Sequence, residues 1–257
     1  MEAYTDFAGV YDVFMDETPY EKWHDTVLTV LQKYHITDGL VLDLGCGTGT
    51  MTELLAQSGY DMIGIDNAQE MLNLAITKRD ESKSDILYLC QDMREFELYG
   101  TVRAVVSLCD CVNYILEESE LQQVFELVNN YLDPEGIFFF DFNTDYKYRE
   151  IIGDTVIAEN REQCSFIWEN YFHEEECINE YDVTVFTEEE DGRYRKFTET
   201  HYQRGYRLEE IKALLKAAGM EFLEAMDADT GKTVTEVSER IYIVAREQGK
   251  APSAGLE

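Results

Sequence analysis

Val41-Leu42-Asp43-Leu44-Gly45-Cys46-Gly47-Thr48-Gly49 is the stretch on which the fold turns. A short apolar strand runs into three alternating glycines, and a helical pattern, Thr50 to Gln57, follows directly. Glycine at every second position allows a tight backbone turn and leaves room for a ligand where a Cβ would intrude. The helix behind the turn aims unpaired N–H groups and its positive dipole end at that ligand. The spacing departs from the dinucleotide pattern G-x-G-x-x-G, because counting from Gly45 puts Thr50 where the third glycine would stand.

Outward from this turn, strand and helix patterns alternate. Asp61 to Asp66 reads as a second strand ending in an acid, Gln69 to Lys78 as a helix, and Ile86 to Cys90 as a third strand followed by Gln91-Asp92-Met93. Asp66 is placed to accept from both hydroxyls of a ribose, whether of NAD or of another adenosine compound. Asp92 is placed to accept from an adenine amino group, with the N–H of Met93 facing the ring. Val102 to Leu108 is apolar almost throughout, as a central parallel strand buried on both faces should be. Glu118 to Asn130 is a helix, and the turn Asp133-Pro134-Glu135-Gly136 leads into the strand Ile137 to Phe142. Upstream, the helix Glu21 to His35 precedes the first strand, Leu40 to Leu44.

Asp43-Leu44-Gly45-Cys46-Gly47-Thr48-Gly49, Asp66 and Asp92-Met93, in that order, resemble the class I S-adenosylmethionine-dependent methyltransferases. The resemblance spans roughly four-fifths of the chain. It implies an α/β fold: a doubly wound, Rossmann-like, seven-stranded and mostly parallel sheet whose last strand runs antiparallel. It implies S-adenosylmethionine as cofactor, S-adenosylhomocysteine as product, and no metal. The cofactor set is then Gly45, Cys46 (through its backbone), Gly47, Asp66, Asn67, Asp92, Met93 and Cys109. Tyr4, Phe7 and Tyr11 resemble the aromatic lid that relatives close over the cofactor. Trp23 would line the methionine end, unless it is a core residue of its helix.

The pattern changes between residues 143 and 205. Two-residue alternation replaces helical periodicity: Cys164, Phe166 and Trp168 share one face, as do Tyr181, Val183 and Val185, and Tyr194 to Tyr202 is a further strand. The clusters Glu174-Glu175-Glu176 and Glu188-Glu189-Glu190-Asp191-Gly192 mark turns. This is an inserted antiparallel β subdomain. The core comprises 1–142 and 206–248, with a lid and helix in 1–38, the insert in 143–205 and a frayed end at 249–257. Helix Leu208 to Ala218 and strands Glu221 to Met226 and Arg240 to Ala245 complete the core.

By resemblance to enzymes acting on small amines, amino sugars among them, the insert is the specificity element and a surface for homodimerisation. Asn113 and Tyr114, just after the fourth strand, and Tyr171 and His201 in the insert are the acceptor candidates. His173 and Tyr202 are further hydrogen-bonding groups. Asn113 suits an acceptor contact and a helix-start cap equally, whereas Asp110 is read as a cap. No catalytic base stands out, since an amine acceptor needs less proton removal than a hydroxyl.

Lys+Arg 21 against Asp+Glu 53 gives −32, a field that repels phosphate backbones and anionic membranes. The Asn-Pro-Pro-Tyr motif of enzymes methylating DNA bases or protein glutamine is missing from the sequence, so direct nucleic-acid binding is not expected. Six cysteines without a C-x-x-C pair, four scattered histidines, no signal-peptide pattern and no bilayer-length apolar run make a cytoplasmic protein without a metal the expectation. Three rival readings stay open: a nicotinamide enzyme, a non-catalytic adenosyl-binding module working through a partner, and methylation of a protein or RNA in complex.

Overall fold

The structure, a computed structural model, describes residues 7–162, 164–189 and 191–250. Tyr4 of the expected lid, Glu190 of the second acidic cluster and residues 251–257 of the expected frayed end lie outside them. Two helices, α1 (Ala8–Phe14) and α2 (Tyr20–Lys33), precede β1 (Leu40–Leu44). There follow α3 (Thr50–Gln57), β2 (Asp61–Asp66), α4 (Gln69–Ser82), β3 (Ile86–Cys90), β4 (Val102–Ser107), α5 (Glu118–Tyr131) and β5 (Leu132–Asn143). Strands β6 (Val156–Asn160), β7 (Cys164–His173), β8 (Ile178–Glu188) and β9 (Tyr194–Arg204) come next, then α6 (Leu208–Ala217), β10 (Glu221–Asp227) and β11 (Arg240–Arg246).

The large sheet has the order β10-β11-β5-β4-β1-β2-β3. Strands β1 to β5 pair in parallel, while β11 runs antiparallel to both β5 and β10. The chain leaves β1 towards β2 and β3, then returns to β4 on the other side. That reversal opens a crevice beyond the carboxyl ends of β1 and β4. Alternation along β1 divides the core between the two faces of the sheet. Leu42 and Leu44 pack with Leu121, Phe125 and Phe138 beneath α5, whereas Val41 packs with Leu31, Leu55 and Phe139 beneath α2 and α3. Phe138 and Phe140 stack 4.5 Å apart against Phe125, and each such fully buried ring stabilises the fold by about 2–3 kcal/mol.

The residues expected as a turn before β5 are held inside that strand as a bulge. Glu135 has φ +63, and the register with β4 jumps between Val102 and Ala104. A π-helical turn, Lys147–Ile152, and the edge strand β6 carry no clear periodicity and were not expected. Strands β6 to β9 form a second, antiparallel sheet in sequential order. Phe166, Tyr181, Val183 and Val185 on its inner face make a separate apolar cluster, against which Phe7, Val10 and Phe14 of the N-terminal segment pack. Among the described residues no helix is long and apolar enough to cross a membrane.

Candidate active site

The glycine turn is shaped by its neighbours. Gly45 has φ +83, and a Cβ there would lie 2.6 Å from Cys111 Sγ, so both conformation and space demand glycine. The N–H groups of Gly45 and Cys46 both donate to Ile65 O, which fixes the end of β1 against β2. Gly47 N–H donates to Asp66 Oδ2 at 2.8 Å, and Ala68 N–H donates to Oδ1 at 2.9 Å. Burial raises the Asp66 carboxyl above its ordinary value, and these N–H groups oppose the rise. A carboxylate accepts about four hydrogen bonds, so one donor from the glycine turn and one from the start of α4 leave Asp66 with capacity for ribose hydroxyls.

Asp43 lies deeper. Thr52 Oγ1–H donates to its Oδ2 at 2.6 Å, but burial, helped by the charge on Asp66, pushes it up to about 7. Asp92 has the opposite environment. The Arg94 side chain donates to both its oxygens, at 2.9 and 2.6 Å, and holds it below the usual carboxylate range. Arg94 reaches Glu120 as well. Asp92 thus sits in the predicted place with its carboxylate already bound by a neighbouring guanidinium.

Around this turn lies a cavity of about 240 Å³. Gly45, Cys46, Gly47, Asp66 and Asn67 line one side of it, and Asp92 and Met93 line the next. Cys109, Trp23 and Tyr11 complete the predicted cofactor set, and all three face the same space. Tyr20 also lines it, set edge-on to Trp23 at 5.5 Å. Sequence reasoning missed Tyr20, although Thr18-Pro19-Tyr20 opens the helix three residues before Trp23. Burial pushes the Cys109 thiol up to about 12 and raises Cys46 as well, so both are neutral wall groups rather than nucleophiles. Among the described residues no group of three or more His, Cys, Asp or Glu side chains is placed to hold a metal ion.

The four acceptor candidates separate. Tyr114 lines the cavity. His201 is buried behind it, with Nδ1 3.3 Å from Tyr114 Oη. Asn113 is fully buried as a clamp: it accepts from Asn143 N–H and donates to the carbonyls of Asn143 and Arg204. Tyr171 is 45% exposed on the outer face of the small sheet, across from Glu180. His173 and Tyr202 bond to the same Glu180.

A further cluster was not legible in the sequence. Arg240 donates to Asp110 Oδ1 at 2.7 Å and lies 3.2 Å from Asp141 Oδ2, with its guanidinium over the Trp23 ring. Gln203 Nε2–H donates to the other Asp110 oxygen. Asp110, set aside as a cap, is thereby the junction of β4, β9 and β11, and its φ of +52 is the backbone signature of that junction. Burial raises Asp141 to about 6, and Arg240 opposes the rise.

The family model described as a methyltransferase domain matches residues 41–136. Over its length the chain is 34% identical to a protein of Geobacillus sp. (strain WCH70) named as a methyltransferase, covering 95% of this chain and 99% of that one. It is 36% identical to YqeM of Bacillus subtilis (strain 168), also named as a methyltransferase, with 95% and 96% covered. The crystal structure of an S-adenosylmethionine-dependent methyltransferase from Clostridium acetobutylicum superposes with TM-score 0.86 at 28% identity, covering 96% of this chain and all of that one. CalS10 from Micromonospora echinaspora, an amino pentose methyltransferase solved with S-adenosylmethionine bound, shares the fold at TM-score 0.73 and 20% identity, with 96% and 99% covered. A glycine turn with no room for a side chain at Gly45, a carboxylate with unspent capacity at the end of β2 and an aromatic-walled cavity between them suit S-adenosylmethionine, and the chain belongs to the class I S-adenosylmethionine-dependent methyltransferases.

Proposed function

We propose that this methyltransferase acts on a small molecule, at nitrogen ahead of oxygen. One observation carries the reading: α1, whose Tyr11 lines the cavity, is held on two sides. Asp12 on α1 accepts from Thr48 Oγ1–H at 2.7 Å and pairs with Lys78 at 2.7 Å on the glycine-turn side. On the other side Phe14 packs edge-on to Phe166 of the insert at 4.7 Å. A cavity walled in this way suits an acceptor of a few heavy-atom shells better than a polymer. The amino-pentose activity named for CalS10 supports the choice of nitrogen as an analogy of architecture.

S-adenosylmethionine supplies a methyl carbon already activated by its sulfonium. The protein's part is to bind, align and exclude water. Asp66 holds the ribose end, and the glycine turn leaves it the room to approach. Tyr11, Tyr20 and Trp23 present aromatic faces, which favour a sulfonium cation and keep water out. Tyr114 stands where the cavity meets the insert and so faces the acceptor.

Calorimetric titration of S-adenosylmethionine into wild type and Asp66→Ala tests the site. The expected result is micromolar binding by wild type and a loss of about ten- to a hundredfold in the variant, as follows from removing a charged hydrogen-bond acceptor. Unchanged affinity in Asp66→Ala would displace the cofactor from this cavity. Release of S-adenosylhomocysteine in the presence of small amines, but not of protein or RNA, is the expected second result.

A further inference from the structure

Behind Tyr114 the insert carries a line of buried polar groups. Tyr114 closes the short 3₁₀ turn Cys111–Tyr114 that follows β4. Its Oη lies 2.6 Å from Tyr181 Oη and 3.3 Å from His201 Nδ1. Tyr181 and His201 are direct partners across β8 and β9, and their rings stack at 5.0 Å, 4° from parallel. Two residues before His201, and therefore on the same face of β9, stands Glu199. Its Oε2 is 3.6 Å from His201 Nε2, and the two side chains are 2% and 1% exposed. Glu199 Oε1 accepts from Phe7 N–H at 3.0 Å, and the Phe7 ring stands edge-on to His201 at 6.5 Å.

Placing a carboxylate in such an interior costs several kcal/mol, and packing alone offers no return for it. A titratable pair buried beside the cavity of an enzyme has a use in moving protons. Resting on the methyltransferase reading above, we propose that Tyr114, His201 and Glu199 form a relay that takes the proton released by the methyl acceptor, with Tyr114 as the catalytic residue that touches it.

The balance is simple. As the acceptor heteroatom forms its bond to the methyl carbon, the carbon–sulfur bond breaks and its electron pair stays on sulfur. The acceptor's proton passes to Tyr114 Oη while the Tyr114 proton passes to His201 Nδ1. The imidazolium so formed faces Glu199, and the 3.6 Å separation is that of an ion pair made when the ring becomes charged. Tyr181 O–H donates to the Tyr114 oxygen throughout, and burial raises its own ionisation far enough to keep it a donor. Among the described residues, the groups facing the ring include Tyr114 from the 3₁₀ turn, Tyr181 from β8, Glu199 from β9 and the Phe7 N–H from the N-terminal segment. Asp110 and Cys109 act on Tyr181 from beyond Tyr114, and the Asp110 charge is offset by Arg240. The relay requires one tautomer: Nε2–H towards Glu199 and a lone pair on Nδ1 towards Tyr114.

The experiment is ¹⁵N-histidine NMR of the full chain with S-adenosylhomocysteine, followed over pH, in wild type, Tyr114→Phe, Glu199→Gln and His201→Asn. The signal absent in His201→Asn identifies His201. In wild type it is expected as the Nε2–H tautomer. Glu199→Gln should move its Nε2 resonance, since the charged partner a few ångströms from that nitrogen is removed. Tyr114→Phe should move the Nδ1 resonance through loss of its hydrogen-bond donor. With whichever of ethanolamine, glucosamine or phenol is methylated, His201→Asn and Tyr114→Phe should lose about a hundredfold or more in kcat, with the pH profile flattened and KM little changed. Neither His201 nor Glu199 lines the cavity, so S-adenosylhomocysteine should bind their variants within about threefold of wild type. An Nδ1–H tautomer, or an Nε2 resonance unmoved by Glu199→Gln, overturns the relay without any turnover measurement. Failure of wild type to bind S-adenosylhomocysteine would instead sink the methyltransferase reading on which it rests.

Discussion

At the scale of the residue, Asp43 is where chemistry and stability conflict. It occupies the strand that leads into the glycine turn, where alternation calls for an apolar group. Its pKa stands at about 7 in the folded chain against an ordinary 3.8. The folded protein therefore holds a proton that the unfolded chain has lost between those values. This contribution to stability is complete below about pH 4 and disappears as pH rises to about 7, at up to ~1.4 kcal/mol per unit. Asp43→Asn removes the titration and keeps an acceptor for Thr52. The expected outcome is that the Tm of wild type, relative to Asp43→Asn, falls steadily from about pH 4 to about pH 7 and then levels. A difference that stays flat over this range would mean that Asp43 is ionised in the fold. Residues such as Asp66 were legible because their role depends on a local pattern: a strand end a fixed distance after a glycine turn. Asn113 was not, because its partners Asn143 and Arg204 lie 30 and 91 residues away in sequence. A helix-start motif and an inter-element clamp are written with the same letters.

At the scale of the element, α1 is the informative piece. It is short, and isolated helices of that length are not stable in water. Its order comes from its attachments, among them Asp12 to the core and Phe14 to the insert. Each is worth about 0.5–1.5 kcal/mol at most, the electrostatic one less because it is partly exposed. Phe14→Ala and Asp12→Asn are each expected to weaken S-adenosylmethionine binding by about 2–10-fold, chiefly through faster release in stopped-flow, with Tm within a few degrees of wild type. Unchanged release rates in both variants would show that α1 does not govern access. The regular elements were readable from periodicity because parallel strands buried on both faces, such as β4, leave near-continuous apolar runs. The edge strand β6 was not, since its side chains are mostly exposed and no apolar alternation is demanded of it. The bulge before Ile137 hid for a related reason, because Asp-Pro-Glu-Gly spells a turn and here also serves as an irregular stretch of strand.

At the scale of the whole molecule, a net charge of −32 sets the long-range behaviour. Many of the basic side chains are consumed in local pairs, among them Arg94 with Asp92 and Arg240 with Asp110. The unpaired acids repel one another across the surface, and screening should relieve this. Raising NaCl from about 20 mM to about 500 mM is expected to raise Tm by several degrees; a fall would mean that the surface ion pairs outweigh the repulsion. The parallel, doubly wound character of the large sheet was legible because strand and helix patterns alternate, whereas its antiparallel last strand was implied by the family resemblance and its order was not written in any local pattern. The polar cluster behind Tyr114 was hidden, because it is assembled from the 3₁₀ turn, β8, β9 and the N-terminal segment, which no window of sequence contains.

The small sheet enters and leaves the large one at a single seam. Thr144 and Tyr206 pair there in a parallel bridge, and Asn113 grips the carbonyls on both sides of it. A segment whose two ends meet at one stitched point is topologically a cassette. Lengthening, shortening or exchanging it leaves every strand pairing of the parent sheet in place, so the cassette can vary while the cavity beside the glycine turn is inherited unchanged.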